Sequence, residues 1–193
     1  MSFWIVQIAL LVNVAILLYL LSWFWPPDSP WAPWWTTNKV MARCMCRMIK
    51  MKKGDVVYDL GSGEGTALIV AAKEFGVTGV GIEIDALRVW QSKWLINHEK
   101  LQDKLTIIKS NFFQVDLAEA TVVFAYLVPK ALKNLKKKFL TELKPGARIV
   151  CYRYTLDYLP LVLEDKEKKI YIYEVPKKGK NTPVKAESKR NKS

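Results

Sequence analysis

The chain has 193 residues, room for one ordinary domain. A hydrophobic share of 51% and a charged share of 25% exclude a disordered chain; three cysteines with one histidine exclude a disulfide scaffold and argue against a structural zinc site, which needs four clustered Cys or His ligands. Thirty Lys and Arg against 18 Asp and Glu give a net charge of +12, and residues 1–27 carry no charged side chain, so the whole excess lies after them.

The first element is apolar. Residues 3–25 hold only Gln7, Asn13 and Ser22 as clearly polar members. As a helix they would span roughly 34 Å, against about 30 Å of bilayer hydrocarbon. No Lys or Arg precedes the run, and it ends in Trp23-Phe24-Trp25-Pro26-Pro27 rather than in small residues, so a retained anchor over 1–25 is expected in place of a cleaved signal peptide. Trp4 at one end and Trp23, Trp25, Trp31, Trp34 and Trp35 at the other suit the two interfacial belts. Arg43, Arg47, Lys50, Lys52 and Lys53 follow closely, which places the following domain on the cytoplasmic side, or the matrix side in a mitochondrion.

Residues 26–36 form a stiff connector with four prolines, and Thr37 is positioned to cap a helix over about 38–50. Strands and helices then alternate. The strands are DVVYDL (55–60), GVGIEI (79–84), LTIIK (105–109), ATVVFAYL (120–127) and ARIVCYR (147–153), short and apolar as buried parallel strands are. The helices cover 65–75, about 86–99 with Leu87, Trp90 and Trp94 on one face, and about 130–143 with Leu132, Leu135, Phe139 and Leu143 inward. Leu159–Leu163 and 169–175 read as a closing hairpin. The expected fold is α/β: a Rossmann-like, doubly wound seven-stranded sheet over 37–175 with an antiparallel C-terminal hairpin, preceded by one transmembrane helix. Residues 176–193 read as a disordered basic tail.

Seven of nine glycines fall between 54 and 81, where a strand turns into a helix. Asp59-Leu60-Gly61-Ser62-Gly63-Glu64-Gly65 fails the dinucleotide fingerprint because Thr66 stands where its third glycine belongs. A carboxylate two residues before Gly61, at the carboxyl end of a strand, suits a ligand with a cationic amino-acid end and is badly placed against a pyrophosphate. Glu83 ends the second strand, where an acid accepts ribose hydroxyls, and Ile84 follows it. Asn111 and Phe112 follow the third strand and can bond and pack an adenine. Amino-acid end, ribose and adenine, in that order, describe S-adenosylmethionine (SAM). The candidate cofactor residues are Asp59, Gly61, Ser62, Gly63, Glu64, Gly65, Glu83, Ile84, Asn111 and Phe112.

The segments PWWTT, VYDLGSGEG, VGIEID, RVWQSKW, VVFAYLVP and ARIVCYRY resemble class I SAM-dependent methyltransferases. Within that class they resemble the membrane-anchored protein-lysine methyltransferases of mitochondria, which modify the ATP synthase c subunit or the adenine nucleotide translocase, and their short prokaryotic relatives. The resemblance assigns cofactor roles to Asp59, Gly61, Gly63, Gly65 and Glu83. Glu64 and Asn111 each replace a more usual Asp, and Tyr126-Leu127-Val128-Pro129 stands where amino-methylating DNA enzymes carry Asn-Pro-Pro-Tyr.

A lysine amine must lose its proton before it attacks a methyl group, since its ordinary pKa is about 10.4. The catalytic candidates are Asp116, Tyr126 and Trp35, with Glu64 and Thr36 as further neighbours of the methyl group. No metal is required. The expected partners are a membrane-protein lysine and the lipid bilayer, and the anchor argues against a nucleic-acid partner. The expected location is a prokaryotic inner membrane, with the mitochondrial inner membrane as the alternative. A methyltransferase of lipids or small molecules and a SAM-binding adaptor without turnover remain open at this point.

Overall fold

A computed structural model describes residues 3–24 and 37–176. The described elements are α1 (Phe3–Phe24), α2 (Lys39–Met48), β1 (Val56–Leu60), α3 (Thr66–Phe75), β2 (Thr78–Glu83), α4 (Ala86–His98), β3 (Leu105–Lys109), β4 (Val122–Ala125), α5 (Pro129–Asn134), α6 (Lys136–Glu142), β5 (Arg148–Tyr152), β6 (Leu161–Asp165) and β7 (Ile170–Glu174). The connector 26–36 and the segment from residue 177 onward lie outside the described residues.

One sheet contains all seven strands in the order β3-β2-β1-β4-β5-β7-β6. The first five are parallel, and β7 runs antiparallel between β5 and β6. The expected strands stand within two residues at each end for the parallel five. The hairpin shifts toward the C-terminus: β6 begins at Leu161 rather than Leu159, because Leu159 is buried in the core while the strand itself lies on the exposed edge.

The two faces carry two cores. On one, Ala42, Met45 and Cys46 of α2 and the apolar face of α3 pack against Val57, Val122, Phe124 and Val150. On the other, Leu132, Leu135 and Phe139 pack against Leu60, Val123, Ala125 and Cys151. Alternation along β4 and β5 sends successive residues to opposite faces, which is what divides the two sets.

Two local expectations are corrected. Asn38, not Thr37, caps α2, its side chain accepting from Met41 N–H at 2.8 Å. The helix expected over 130–143 is two short helices meeting at Leu135, whose fully buried side chain seats both on the sheet. Leu87, Trp90 and Trp94 face outward, with Trp90 64% exposed, while Val89, Ser92 and Ile96 face the core. The approach is close there: a Cβ on Gly65 would already lie 3.4 Å from Ser92 Cβ, so α4 meets the start of α3 through a small side chain while its indoles face away.

The sheet's amino-terminal edge holds a buried polar network with no counterpart among the sequence motifs. Arg148 donates to Asp55 Oδ1 at 2.6 Å and to the carbonyl of Ile49 at 2.6 Å. Thr121 Oγ1 donates to the same carboxylate at 3.1 Å and accepts from Val56 N–H at 2.9 Å. The starts of β1, β4 and β5 are thereby tied together, and no local motif announces it.

α1 is 22 residues long, and its described side chains are exposed throughout. By length and composition it can cross a membrane.

Candidate functional site

The glycine loop leaves β1 and enters α3 at the carboxyl edge of the sheet. Gly61, Gly63 and Gly65 hold φ of 80°, 54° and 78°, the left-handed region that side chains resist. These turns aim the N–H groups of Gly61 and Ser62 back at the carbonyl of Ile82, at 2.8 and 3.1 Å. The loop can lie that close because Gly81 has no side chain: a Cβ there would come within 2.4 Å of Ile107 Cδ1 and 2.7 Å of Ser62 Oγ.

Glu83 is 6% exposed. Its Oε2 accepts from Gly63 N–H at 2.9 Å, and its Oε1 accepts from Ile84 N–H at 2.8 Å and Asp85 N–H at 2.9 Å. Those three bonds make it a clamp between β2 and the loop. A carboxylate has about four lone-pair directions, so one direction remains for a ligand hydroxyl. Asn111 lies one strand further on, its Oδ1 accepting from Phe113 N–H at 3.0 Å, which leaves the amide donors for a ligand. The rings of Phe112 and Phe113 lie 4.6 Å apart beside it. The carbonyl of Glu83 accepts from Ser110 N–H at 2.9 Å, so the ends of β1, β2 and β3 form one connected ledge.

On the other side of the loop a cleft opens over β1, β4 and β5. Asp59, Gly61, Ser62, Gly63, Glu64 and Thr66 form one wall; Phe124, Ala125, Tyr126, Val150 and Tyr152 form the other; Thr37 and Met45 close one end. Asp59 is 8% exposed, and burial, with Glu83 as the second cause, pushes its carboxyl up to about 7 from an ordinary 3.8. Ser62 Oγ is buried and has no hydrogen-bond partner among the described residues. A buried carboxylate and an orphaned hydroxyl at the same wall fit a ligand that brings a cationic, hydrogen-bonding amino-acid end.

The structure therefore gathers Asp59, Gly61, Ser62, Gly63, Glu64 and Tyr126 around the cleft, with Glu83, Ile84, Asn111 and Phe112 on the adjoining ledge. Gly65 caps α3 and serves the turn. Asp116 does not join them. It lies in the loop before β4, exposed, its Oδ1 accepting from Ala118 N–H at 2.9 Å in a local turn, while the next residue's N–H bonds Glu142 on α6. The connection runs from the carboxyl end of β3 to the amino end of β4, and Asp116 stands in its second half, beside α6 and not among the residues that line the cleft. Trp35 and Thr36 lie outside the described residues. Tyr152 and Met45 were missed as site residues; the one available signal was that Tyr152 ends a strand at the same edge as Tyr126.

A parallel α/β sheet with this glycine loop, ribose-type acid and antiparallel closing strands defines a SAM-dependent methyltransferase. The ANTKMT methyltransferase domain matches residues 59–161, and the chain belongs to that family. A protein-lysine N-methyltransferase of Saccharolobus islandicus is 40% identical over 131 residues, covering 67% of this chain and 80% of that protein. The lysine N-methyltransferase of Xenopus laevis that is named for the ATP synthase c subunit is 31% identical over 125 residues, and the Homo sapiens enzyme of the same name is 32% identical over 108. The matches span 53% and 46% of those two proteins, about half of each. Among solved structures, an RNA methyltransferase from Salinibacter ruber bound to S-adenosylhomocysteine is similar with a TM-score of 0.72 and 28% identity, covering 77% of this chain and 98% of that one.

Proposed function

We propose that this protein is a single-pass, membrane-anchored SAM-dependent methyltransferase that modifies lysine side chains of a membrane protein, with its domain on the cytoplasmic or matrix side. The observation that carries this reading is the position of Thr37. It is the first described residue after the apolar helix and the connector, and it lines the cleft. The tether therefore enters at the rim of the site, so acceptors close to the bilayer meet the cleft at high effective concentration. The lysine acceptor is supported by the 40% identical relative and by the Xenopus and human lysine methyltransferases, whose names give a component of ATP synthase as their target.

In this reading Asp59 and Ser62 receive the amino-acid end of SAM, Glu83 and Ile84 the ribose, and Asn111 and Phe112 the adenine. When bound, SAM would supply an electrophilic methyl group on a sulfonium, open to in-line attack by an amine lone pair with S-adenosylhomocysteine as the leaving group. The protein's task is then to hold a neutral amine at attack distance and to let its proton leave for solvent. Burial raises the Tyr126 hydroxyl above its ordinary 10.0, so at neutral pH it is a protonated hydrogen-bonding group and not a base. Trp35, which lies beyond the described residues, is proposed as a catalytic residue.

The test is incubation of membranes containing the full-length protein with methyl-labelled SAM, followed by separation of protein, lipid and RNA and by acid hydrolysis of the protein. Label recovered as methyl-lysine in membrane proteins is expected. Label in lipid or RNA overturns the acceptor, and loss of residues 1–25 without loss of membrane-protein labelling overturns the anchor's role.

A further inference from the structure

The wall of the cleft opposite the glycine loop is aromatic, and it follows from register. β4 and β5 pair with Ala125 opposite Cys151, and both of those residues belong to the core beneath α5 and α6. The next residues along the chain, Tyr126 just past β4 and Tyr152 ending β5, turn to the other face with Phe124 and Val150. All four line the cleft. The two tyrosine rings lie 4.6 Å apart with planes inclined at 58°. After Tyr152 the chain turns sharply: Arg153 sits at φ 72°, and its N–H donates to the carbonyl of Lys169 at 2.7 Å. That turn swings its guanidinium to 5.9 Å from both ring centroids. The pair thus already offers a π surface to one cation, and the packed guanidinium fixes the pose of both rings.

We propose that Tyr126 and Tyr152 form the acceptor wall of the cleft, a π surface that takes the aliphatic stem and amine of a lysine side chain, with Tyr152 as a specificity-determining residue. This rests on the lysine-methyltransferase reading above. Sheet order separates the functions: Asp59 stands on β1, Tyr126 at the end of β4 and Tyr152 at the end of β5, about 10 Å across the sheet from β1. The amino-acid end of the cofactor occupies the β1 side, and the acceptor enters from the β5 side. The chemistry suits the residues. A lysine stem of four methylenes needs an apolar wall. Its amine must be neutral to attack, and a carboxylate at that wall would hold it in the charged form. Aromatic rings bind the stem and orient the amine without fixing the proton, and Tyr126 and Tyr152 present such a surface where Asp116 does not reach.

The experiment uses the full-length protein in detergent, methyl-labelled SAM and poly-L-lysine as acceptor, with SAM binding measured separately by calorimetry. Tyr152→Ala should lower kcat/KM for poly-L-lysine about 30-fold, the value of a desolvated cation–π contact with the positive charge that develops on nitrogen as the N–C bond forms, while SAM affinity stays within about twofold. Tyr152→Phe keeps the ring and should stay within about threefold of wild type. A thermal melt by circular dichroism separates unfolding from lost binding. If Tyr152→Ala does not fold, Tyr152→Leu takes its place under the same criteria. An unchanged kcat/KM, an equal loss of SAM affinity in a folded variant, or a Phe variant as weak as Ala overturns the acceptor wall. Wild-type protein that labels lipid or RNA and not poly-L-lysine overturns the lysine reading, and the wall with it.

Discussion

The two halves of the site are built differently. On the β1–β2–β3 side hydrogen bonds within the protein hold the backbone in place: Glu83 takes three backbone N–H groups, and the loop bonds back to Ile82, while Ser62 Oγ and the Asn111 amide are left to a ligand. On the β4–β5 side the wall is aromatic, joined by ring contacts and one guanidinium. A rigid polar ledge suits a ligand of constant shape. An aromatic wall suits an acceptor side chain that enters and leaves on every turnover. Preorganisation is thus concentrated where the ligand never varies.

The greatest change is expected at Asp59, on the preorganised half. Its folded-state pKa of about 7 lies above its ordinary 3.8, so the folded apo-protein binds a proton that the unfolded chain has released. Apo-protein stability should therefore fall as pH rises from about 4 to 7, by about 4 kcal/mol at most, and level off above. Asp59→Asn should flatten that dependence, as chemical denaturation at several pH values would show. The same variant should weaken SAM binding most above pH 7, where the wild-type carboxylate is charged. A pH-independent wild-type stability between 4 and 7 would remove the buried charge from the account.

Next comes Glu83→Ala, which removes the clamp and the proposed ribose acceptor together. Charge-assisted hydrogen bonds of about 1.5–3 kcal/mol correspond to roughly 10- to 150-fold weaker SAM binding. Calorimetry checks it, and an unchanged dissociation constant would take Glu83 out of the ligand site. Crossing to the aromatic half, Tyr126→Phe should lower turnover by less than about tenfold, since a neutral hydroxyl's hydrogen bond is worth about 0.5–1.5 kcal/mol. A loss of a thousandfold would make Tyr126 a proton acceptor and would erase the contrast between the halves. A residue outside both halves should matter least. Trp90 is 64% exposed on α4, so Trp90→Ser should change stability by no more than about 0.5 kcal/mol in a denaturant titration.

What is local was legible in the sequence. The alternation of strands and helices, the glycine turn with Asp59, and the acid closing the second strand are contiguous patterns, and contiguous patterns need no knowledge of what packs against them. The apolar helix is of this kind as well. Packing and the pairing of distant strands settled the rest. Leu87, Trp90 and Trp94 share a face by helical spacing, but the direction of that face was settled by packing, with Ser92 close to Gly65 and Val89 and Ile96 buried. Asp116 had suitable chemistry, yet its carboxylate is taken up in a local turn beside α6 and does not line the cleft. Tyr152 acquired its place opposite the glycine loop only through the β4–β5 register, and Arg148 met Asp55, 93 residues away in sequence, only because the order β1-β4-β5 brings their strand ends together. Side chains that meet across a sheet owe their meeting to strand order, which no single segment carries.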